Sequence, residues 1–189
     1  MLAIKNGFKE IIQTTIEDVH PPLYYLILKC VTIILGYSVP AAKIASLIPV
    51  LFTMILGVTA IMRRFPDFGK RRLFAAVLFL CFLSIMPSNL AENVEVRMYT
   101  WAMFFVTASG LYAFEAYLEP ERKKNWLVLT LSALAAAYTH YFALLSVAIV
   151  YVILFLALMV KRKKIVSYLI SGIVCCIGYL PWLPFLWKQ

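Results

Sequence analysis

The chain has 189 residues, of which 63% are hydrophobic and 14% charged, and its mean hydropathy is +0.88. Soluble domains contain about 45–50% apolar and about 25% charged residues, so this chain is predicted to be an integral membrane protein. The same composition excludes a soluble catalyst or a free-standing nucleic-acid-binding protein, although a net charge of +9 would favour a polyanionic partner in a soluble protein.

The N-terminal region, residues 1–38, is predicted to form two juxtamembrane helices on the outer surface of the membrane. Residues 1–17 place apolar side chains on one helical face and most charged side chains off it, which indicates an amphipathic helix. The next apolar run, Leu23–Leu35, is too short to span a bilayer and carries Lys29 in its middle. It is therefore predicted to lie at the membrane interface.

Basic clusters divide the rest of the chain into segments of membrane length. Twelve of the 18 basic residues lie in three clusters, which the positive-inside rule places in the cytoplasm: Arg63-Arg64 with Lys70-Arg71-Arg72, then Arg122-Lys123-Lys124, then Lys161-Arg162-Lys163-Lys164. The apolar runs predict an inward span over 40–62, hairpins over 73–118 and 125–160, and an outward span over 165–187. The predicted fold is an all-α integral membrane protein with about six transmembrane helices in residues 39–189.

This topology places a group of ionisable side chains on the outer face: Asp18, His20, Glu92, Glu95, Arg97 and His140. Each could be an ordinary polar loop residue. Ionisable groups at membrane depth are costly, however, and they are usually functional. Their convergence on one surface predicts a shared site.

Asp18 and His20 lie in the most distinctive string, Asp18-Val-His-Pro-Pro-Leu-Tyr-Tyr25, where two prolines precede a helix. One interpretation is structural, with Asp18 as the helix cap. The other is functional, with a carboxylate and an imidazole held at a helix N-terminus, where the helix dipole favours an anion such as a phosphate.

The other candidates also admit two interpretations each. Glu95 and Arg97 could form a surface ion pair worth little, or Arg97 could bind phosphate oxygens while Glu92 or Glu95 orients it or serves as a base. His140 lies at a tight turn, either as a hydrogen-bonding interfacial residue or as a metal ligand, which requires partners within about 2.0–2.2 Å.

Five strings in the chain resemble a known family. They are the Asp18–Tyr25 string, Ala41-Ala-Lys-Ile-Ala-Ser46, Glu95-Val-Arg-Met-Tyr99, Tyr138-Thr-His-Tyr-Phe142 and Tyr179-Leu-Pro-Trp-Leu-Pro184. In this order they resemble the bacterial family 39-like glycosyltransferases of the GT-C superfamily, whose relatives include protein O-mannosyltransferases and aminoarabinose transferases. The resemblance implies transfer of a sugar from a polyprenyl-phosphate donor to an acceptor on the outer face of the bacterial cytoplasmic membrane.

The resemblance also implies roles for individual residues. Asp18 and Glu95 become the candidate catalytic carboxylates, and a divalent cation would be held by Asp18, His20 and His140. The substrate-binding candidates are His20, Glu92, Arg97, Tyr99 and His140.

The family normally has an additional first span and an acidic loop, which supplies the catalytic base, before the part that this chain resembles. It also continues with further helices after it, so the chain is expected to be a fragment of the core. The alternative is a non-catalytic remnant or accessory subunit that binds lipid-linked substrate or a partner. A transporter of lipids or ions is disfavoured, because it would carry ionisable residues at the membrane midplane.

Overall fold

A computed structural model of the chain describes residues 7–17, 20–85, 96–162 and 165–187, and these residues contain helices and no β-strand. The all-α prediction is therefore confirmed for this part of the chain. The helices are α1 (Phe8–Glu17), α2 (Leu23–Leu35), α3 (Val39–Arg64), α4 (Lys70–Ile85), α5 (Tyr99–Leu118), α6 (Lys123–Ala137), α7 (Tyr141–Val160), α8 (Val166–Tyr179) and α9 (Leu183–Leu186). Short 3-10 turns cover Pro66–Phe68 and Leu180–Trp182.

Three segments are long and apolar enough to cross a membrane: α3, α7 and the stretch Val166–Leu186 that contains α8 and α9. These match three of the six spans predicted from the sequence. Helices α4 and α6 have 16 and 15 residues, below the minimum of about 17 for a span. Helix α5 has 20 residues but is not among the three segments long and apolar enough to cross, and α2 is confirmed as a shorter apolar helix of 13 residues.

The start of α2 is described from Pro22 onward. Pro22 occupies the N-cap position and makes no side-chain capping hydrogen bond, while Asp18, the cap candidate of the structural interpretation, lies outside the described residues. The Leu23 N–H instead donates a hydrogen bond to the carbonyl of Tyr138, at 3.0 Å. This bond satisfies one of the free N–H groups of the first turn and ties α2 to the end of α6.

Helices α1 and α2 pack against the rest of the bundle. In α1, the Ile11 side chain is fully buried and Ile16 packs against the cluster of Ala137, Tyr179 and Trp182. Phe8 and Ile12 are exposed, so the predicted apolar face is buried only in part. In α2, Tyr24 and Leu28 pack in a cluster whose other members come from α3 and from the N-terminal end of α5.

Helix α5 lies at the centre of the bundle and packs against α3, α6 and α7. Fully buried alanines, including Ala116 on α5 and Ala136 on α6, let these helices approach closely. A polar contact crosses the same interface, because the Ser109 hydroxyl donates to the Ser132 Oγ at 3.0 Å.

The bundle has two chemically distinct ends, separated by the length of α5, about 30 Å for 20 residues. The histidine end contains His20, Tyr99 and His140. The arginine end contains the C-termini of α3 and α5 and the start of α6, with three of its charged residues being Arg64, Glu115 and Arg122. The basic clusters at 63–64 and 122–124 thus lie at the end opposite the histidines, the separation that the sequence predicted.

Candidate functional site

Three segments that are distant in sequence meet at the histidine end. The His20 and His140 rings have their centroids 5.6 Å apart, and the ring of Tyr99 also lies 5.6 Å from that of His140. His20 comes from the stretch before α2, Tyr99 begins α5, and His140 lies between α6 and α7. The hydrogen bond between Leu23 and Tyr138 holds the first and third of these segments together.

The turn that carries His140 is held rigidly by the residues before it. Thr139 is fully buried and its hydroxyl donates to the carbonyl of Ala135 at 2.7 Å. The hydroxyl of Tyr138 donates to the carbonyl of Gly178 at 2.9 Å. His140 is therefore positioned by α6 and α8 together, which favours a preorganised site over a mobile loop.

An aromatic cluster supports the same turn. The ring of Tyr138 packs edge to face against Tyr179 at 5.3 Å and against Trp182 at 6.2 Å. The indole N–H of Trp182 donates to the hydroxyl of Tyr141 at 3.3 Å. The sequence could not predict this supporting role of Trp182, because the contacts join α8 and the 3-10 turn Leu180–Trp182 to the turn between α6 and α7.

His140 has a defined tautomer in this arrangement. It is the N-cap of α7, and its Nδ1 atom accepts a hydrogen bond from the N–H of Phe142 at 3.1 Å. Partial burial, and then the neighbouring His20, lower the pKa of His140 below its ordinary value of 6.5. The ring is therefore neutral at pH 7, with its proton on Nε2, where it can donate to an oxygen of a bound anion or hydroxyl group.

The same geometry argues against His140 as a metal ligand. A ligating imidazole nitrogen needs a free lone pair, but Nδ1 is used by Phe142 and Nε2 carries the proton. Residues 7–17, 20–85, 96–162 and 165–187 also contain no group of three or more His, Cys, Asp or Glu side chains that could hold a metal. Asp18, the third predicted ligand, lies outside the described residues, so the predicted cation stays a prediction.

The structure brings together some of the predicted site residues and does not describe others. His20, Tyr99 and His140 are in contact, and Arg97 lies two residues before Tyr99 with an exposed side chain. Asp18, Glu92 and Glu95 lie outside the described residues. The roles predicted for these three carboxylates therefore stay predictions.

An apolar groove that the sequence did not predict begins beside this site. It has a volume of about 350 Å³ and is lined by residues of α2 and α6 together with Pro22 and Tyr138: Leu23, Leu26, Leu131, Leu134 and Ala135. Leu23 and Tyr138, which are joined by a backbone hydrogen bond, bring this groove within three residues of His20 and His140. A hydrocarbon chain would lie in this groove without leaving a polar group unpaired.

Comparison with known proteins adds no assignment. No protein-family model matches the chain, and neither a curated protein nor a solved structure matches it. The functional interpretation therefore depends on the sequence strings and on the geometry of the histidine end.

Proposed function

We propose that the chain is the catalytic core of a membrane glycosyltransferase that moves a sugar from a polyprenyl-phosphate donor to an acceptor on the outer face of the bacterial cytoplasmic membrane. The proposal includes six spans, with α4, α5 and α6 crossing beside the three longer apolar segments. The observation that carries it is the convergence of His20, Tyr99 and His140 at the end opposite the basic clusters. This is where the positive-inside rule puts the outer face.

The chemistry of the histidine end suits a departing lipid phosphate. In the proposed reaction the acceptor hydroxyl oxygen attacks the anomeric carbon, and the bond from that carbon to the phosphate oxygen breaks, so that the phosphate leaves with the electron pair. The guanidinium of Arg97 and the Nε2–H of His140 would stabilise that developing charge. Asp18 or Glu95 would accept the proton of the acceptor hydroxyl.

The groove between α2 and α6 supports a lipid-linked donor over a soluble sugar nucleotide. It is almost entirely apolar and opens beside the residues that would hold the phosphate. An isoprenoid chain in the groove would place its phosphate at the end formed by Leu23 and Tyr138, next to His20 and His140. Membrane lipid would cover the remaining apolar surface.

The test is sugar transfer by the full chain in liposomes that contain radiolabelled polyprenyl-phosphate sugars and mixed acceptors. Arg97→Gln is the test variant, and Arg71→Gln is the matched control, because Arg71 is an exposed arginine at the start of α4, away from the site. We expect transfer by the wild type and the control, and its loss in Arg97→Gln. Unchanged transfer by Arg97→Gln would refute the role of this arginine.

A parallel binding measurement separates the proposal from the non-catalytic alternative. Binding of polyprenyl phosphate is followed by native mass spectrometry for the same three proteins. Binding without transfer by the wild type would favour an accessory lipid-binding role over catalysis. If the wild type neither bound polyprenyl phosphate nor transferred sugar, the catalytic proposal and the lipid-binding alternative would both be overturned.

A further inference from the structure

A second cavity lies at the arginine end, about 30 Å along α5 from the histidines. It has a volume of about 280 Å³ and lies between the C-termini of α3 and α5 and the start of α6. Its charged lining residues are Arg63, Arg64, Glu115, Glu119, Arg122 and Lys124. The sequence identified the basic clusters as topology signals and did not predict that they enclose a cavity.

An ion-pair network builds one wall of this cavity. Arg64 pairs with Glu115, its Nε donating to Oε1 at 2.6 Å, and its Nη2 donates to Glu119 at 3.1 Å. Glu119 also accepts from Arg122 at 3.3 Å. These bonds from Arg64 and then Arg122 hold the pKa of Glu119 below its usual value, so the carboxylate stays charged at neutral pH.

The wall is also anchored to the backbone. The side-chain amide of Asn125, which is buried, donates to the carbonyl of Glu115 at 3.1 Å. The indole N–H of Trp126 donates to the carbonyl of Pro120 at 2.8 Å. The cavity is therefore part of the packed structure between α5 and α6.

The charges in the lining are unequal. Four cationic side chains face two carboxylates, which leaves a formal surplus of two positive charges. Both carboxylates are engaged by Arg64 or Arg122. Arg63 and Lys124 form no ion pair with any residue in the part of the chain that the structure describes, although both line the cavity. Two such cations beside one cavity can each bind a different oxygen atom of one anion such as a phosphate.

The size and place of the cavity agree with a phosphate-bearing head group. Its volume is just below the range of about 300–1,000 Å³ for sites that enclose whole drug-sized ligands. Its floor includes Leu56 and Leu111 from helices that run into the apolar part of the bundle. Basic pockets between membrane helices commonly bind acidic lipid head groups.

We infer that the arginine end binds a phosphate group, presented by an acidic phospholipid or by free inorganic phosphate, with Arg63 and Lys124 as its cationic ligands. The ion pairs of Arg64 hold the wall in place. This inference does not depend on the proposed glycosyl transfer, because the two sites lie at opposite ends of α5.

The test is native mass spectrometry of the full chain in detergent with dioleoylphosphatidylglycerol, and with dioleoylphosphatidylcholine as the zwitterionic comparison. The test variant is the double substitution Arg63→Gln and Lys124→Gln. The matched control is Arg71→Gln and Lys123→Gln, which removes the same charge from neighbouring exposed residues that do not line the cavity. Circular dichroism checks whether both variants keep the helix content of the wild type.

We expect the wild type and the control to bind phosphatidylglycerol with similar affinity, and the test variant to bind it at least tenfold more weakly. The melting temperature is also measured with inorganic phosphate and with sodium chloride of equal ionic strength. A rise in melting temperature with phosphate that is absent in the test variant would support free phosphate as the source. Equal binding by the two double variants would show only general attraction to a basic surface and would overturn the inference. If the wild type bound neither phosphatidylglycerol nor inorganic phosphate, the inference would also be overturned.

Discussion

Replacing His140 separates its structural role from its chemical one. Its Nδ1 atom caps α7 by accepting the N–H of Phe142 at 3.1 Å, and loss of an N-cap acceptor costs typically about 1 kcal/mol, within a range of about 0.5–2 kcal/mol. His140→Ala should therefore lower the free energy of unfolding by about that amount. His140→Asn keeps a side-chain oxygen acceptor at the cap and should stay close to the wild type.

The lowered pKa of His140 also makes the stability of the fold depend on pH in a defined direction. The pKa of His140 lies below its ordinary value of 6.5 in the folded chain, because burial and His20 disfavour the charged ring. The unfolded chain therefore takes up this proton first as the pH falls, so the contribution to stability is complete above about pH 6.5 and is lost below it. His140→Asn should remove this component of the acid sensitivity.

The assay is denaturant unfolding in dodecylmaltoside micelles, followed by circular dichroism at pH 7.5 and pH 5.5. His140→Asn also removes the Nε2–H donor, so it should bind polyprenyl phosphate more weakly than the wild type while keeping its stability at pH 7.5. Equal destabilisation by the alanine and asparagine variants at pH 7.5 would refute the capping argument. Unchanged lipid binding by the asparagine variant would refute the donor role.

Three further predictions concern the arginine end and the helix packing. Arg64→Gln should lower the free energy of unfolding by about 1–2 kcal/mol, because it leaves Glu115 without its cation and the Glu115 side chain is only 23% exposed. Thermal unfolding measures this loss against the control Lys123→Gln, which should match the wild type. Glu119 has a lowered pKa because it accepts hydrogen bonds from Arg64 and Arg122, so its contribution to stability is present above about pH 4.5 and is lost as the pH falls below it. Glu119→Gln should therefore weaken the pH dependence of the melting temperature in that acidic range. An unchanged pH profile would contradict the pairing. Gly57→Ala should destabilise the chain by about 1–2 kcal/mol, because a Cβ there would overlap the Phe79 ring between α3 and α4. The control Gly110→Ala, with open space at that position, should be neutral or slightly stabilising. Equal melting temperatures of these two variants would show that α4 does not pack as described.

The histidine end shows why only part of the site could be predicted from the sequence. The order of the basic clusters placed His20 and His140 on one face, since alternate crossings of a membrane depend only on the order and length of apolar runs. The sequence could not specify that their rings meet at 5.6 Å. That distance depends on the hydrogen bond from Leu23 to Tyr138, which joins residues 115 positions apart.

By itself, the sequence determined the helical class of the chain, its apolar segments of membrane length, the extent of α2 and the position of the turn at His140, because composition, apolar run length and turn residues act locally. The tertiary structure alone decided which nitrogen of His140 is an acceptor, which cation pairs with Glu115 and where a cavity remains at the arginine end. These features depend on how α3, α5, α6 and α7 pack together. Side chains far apart in the sequence meet only when helices have packed, and no local pattern encodes that meeting.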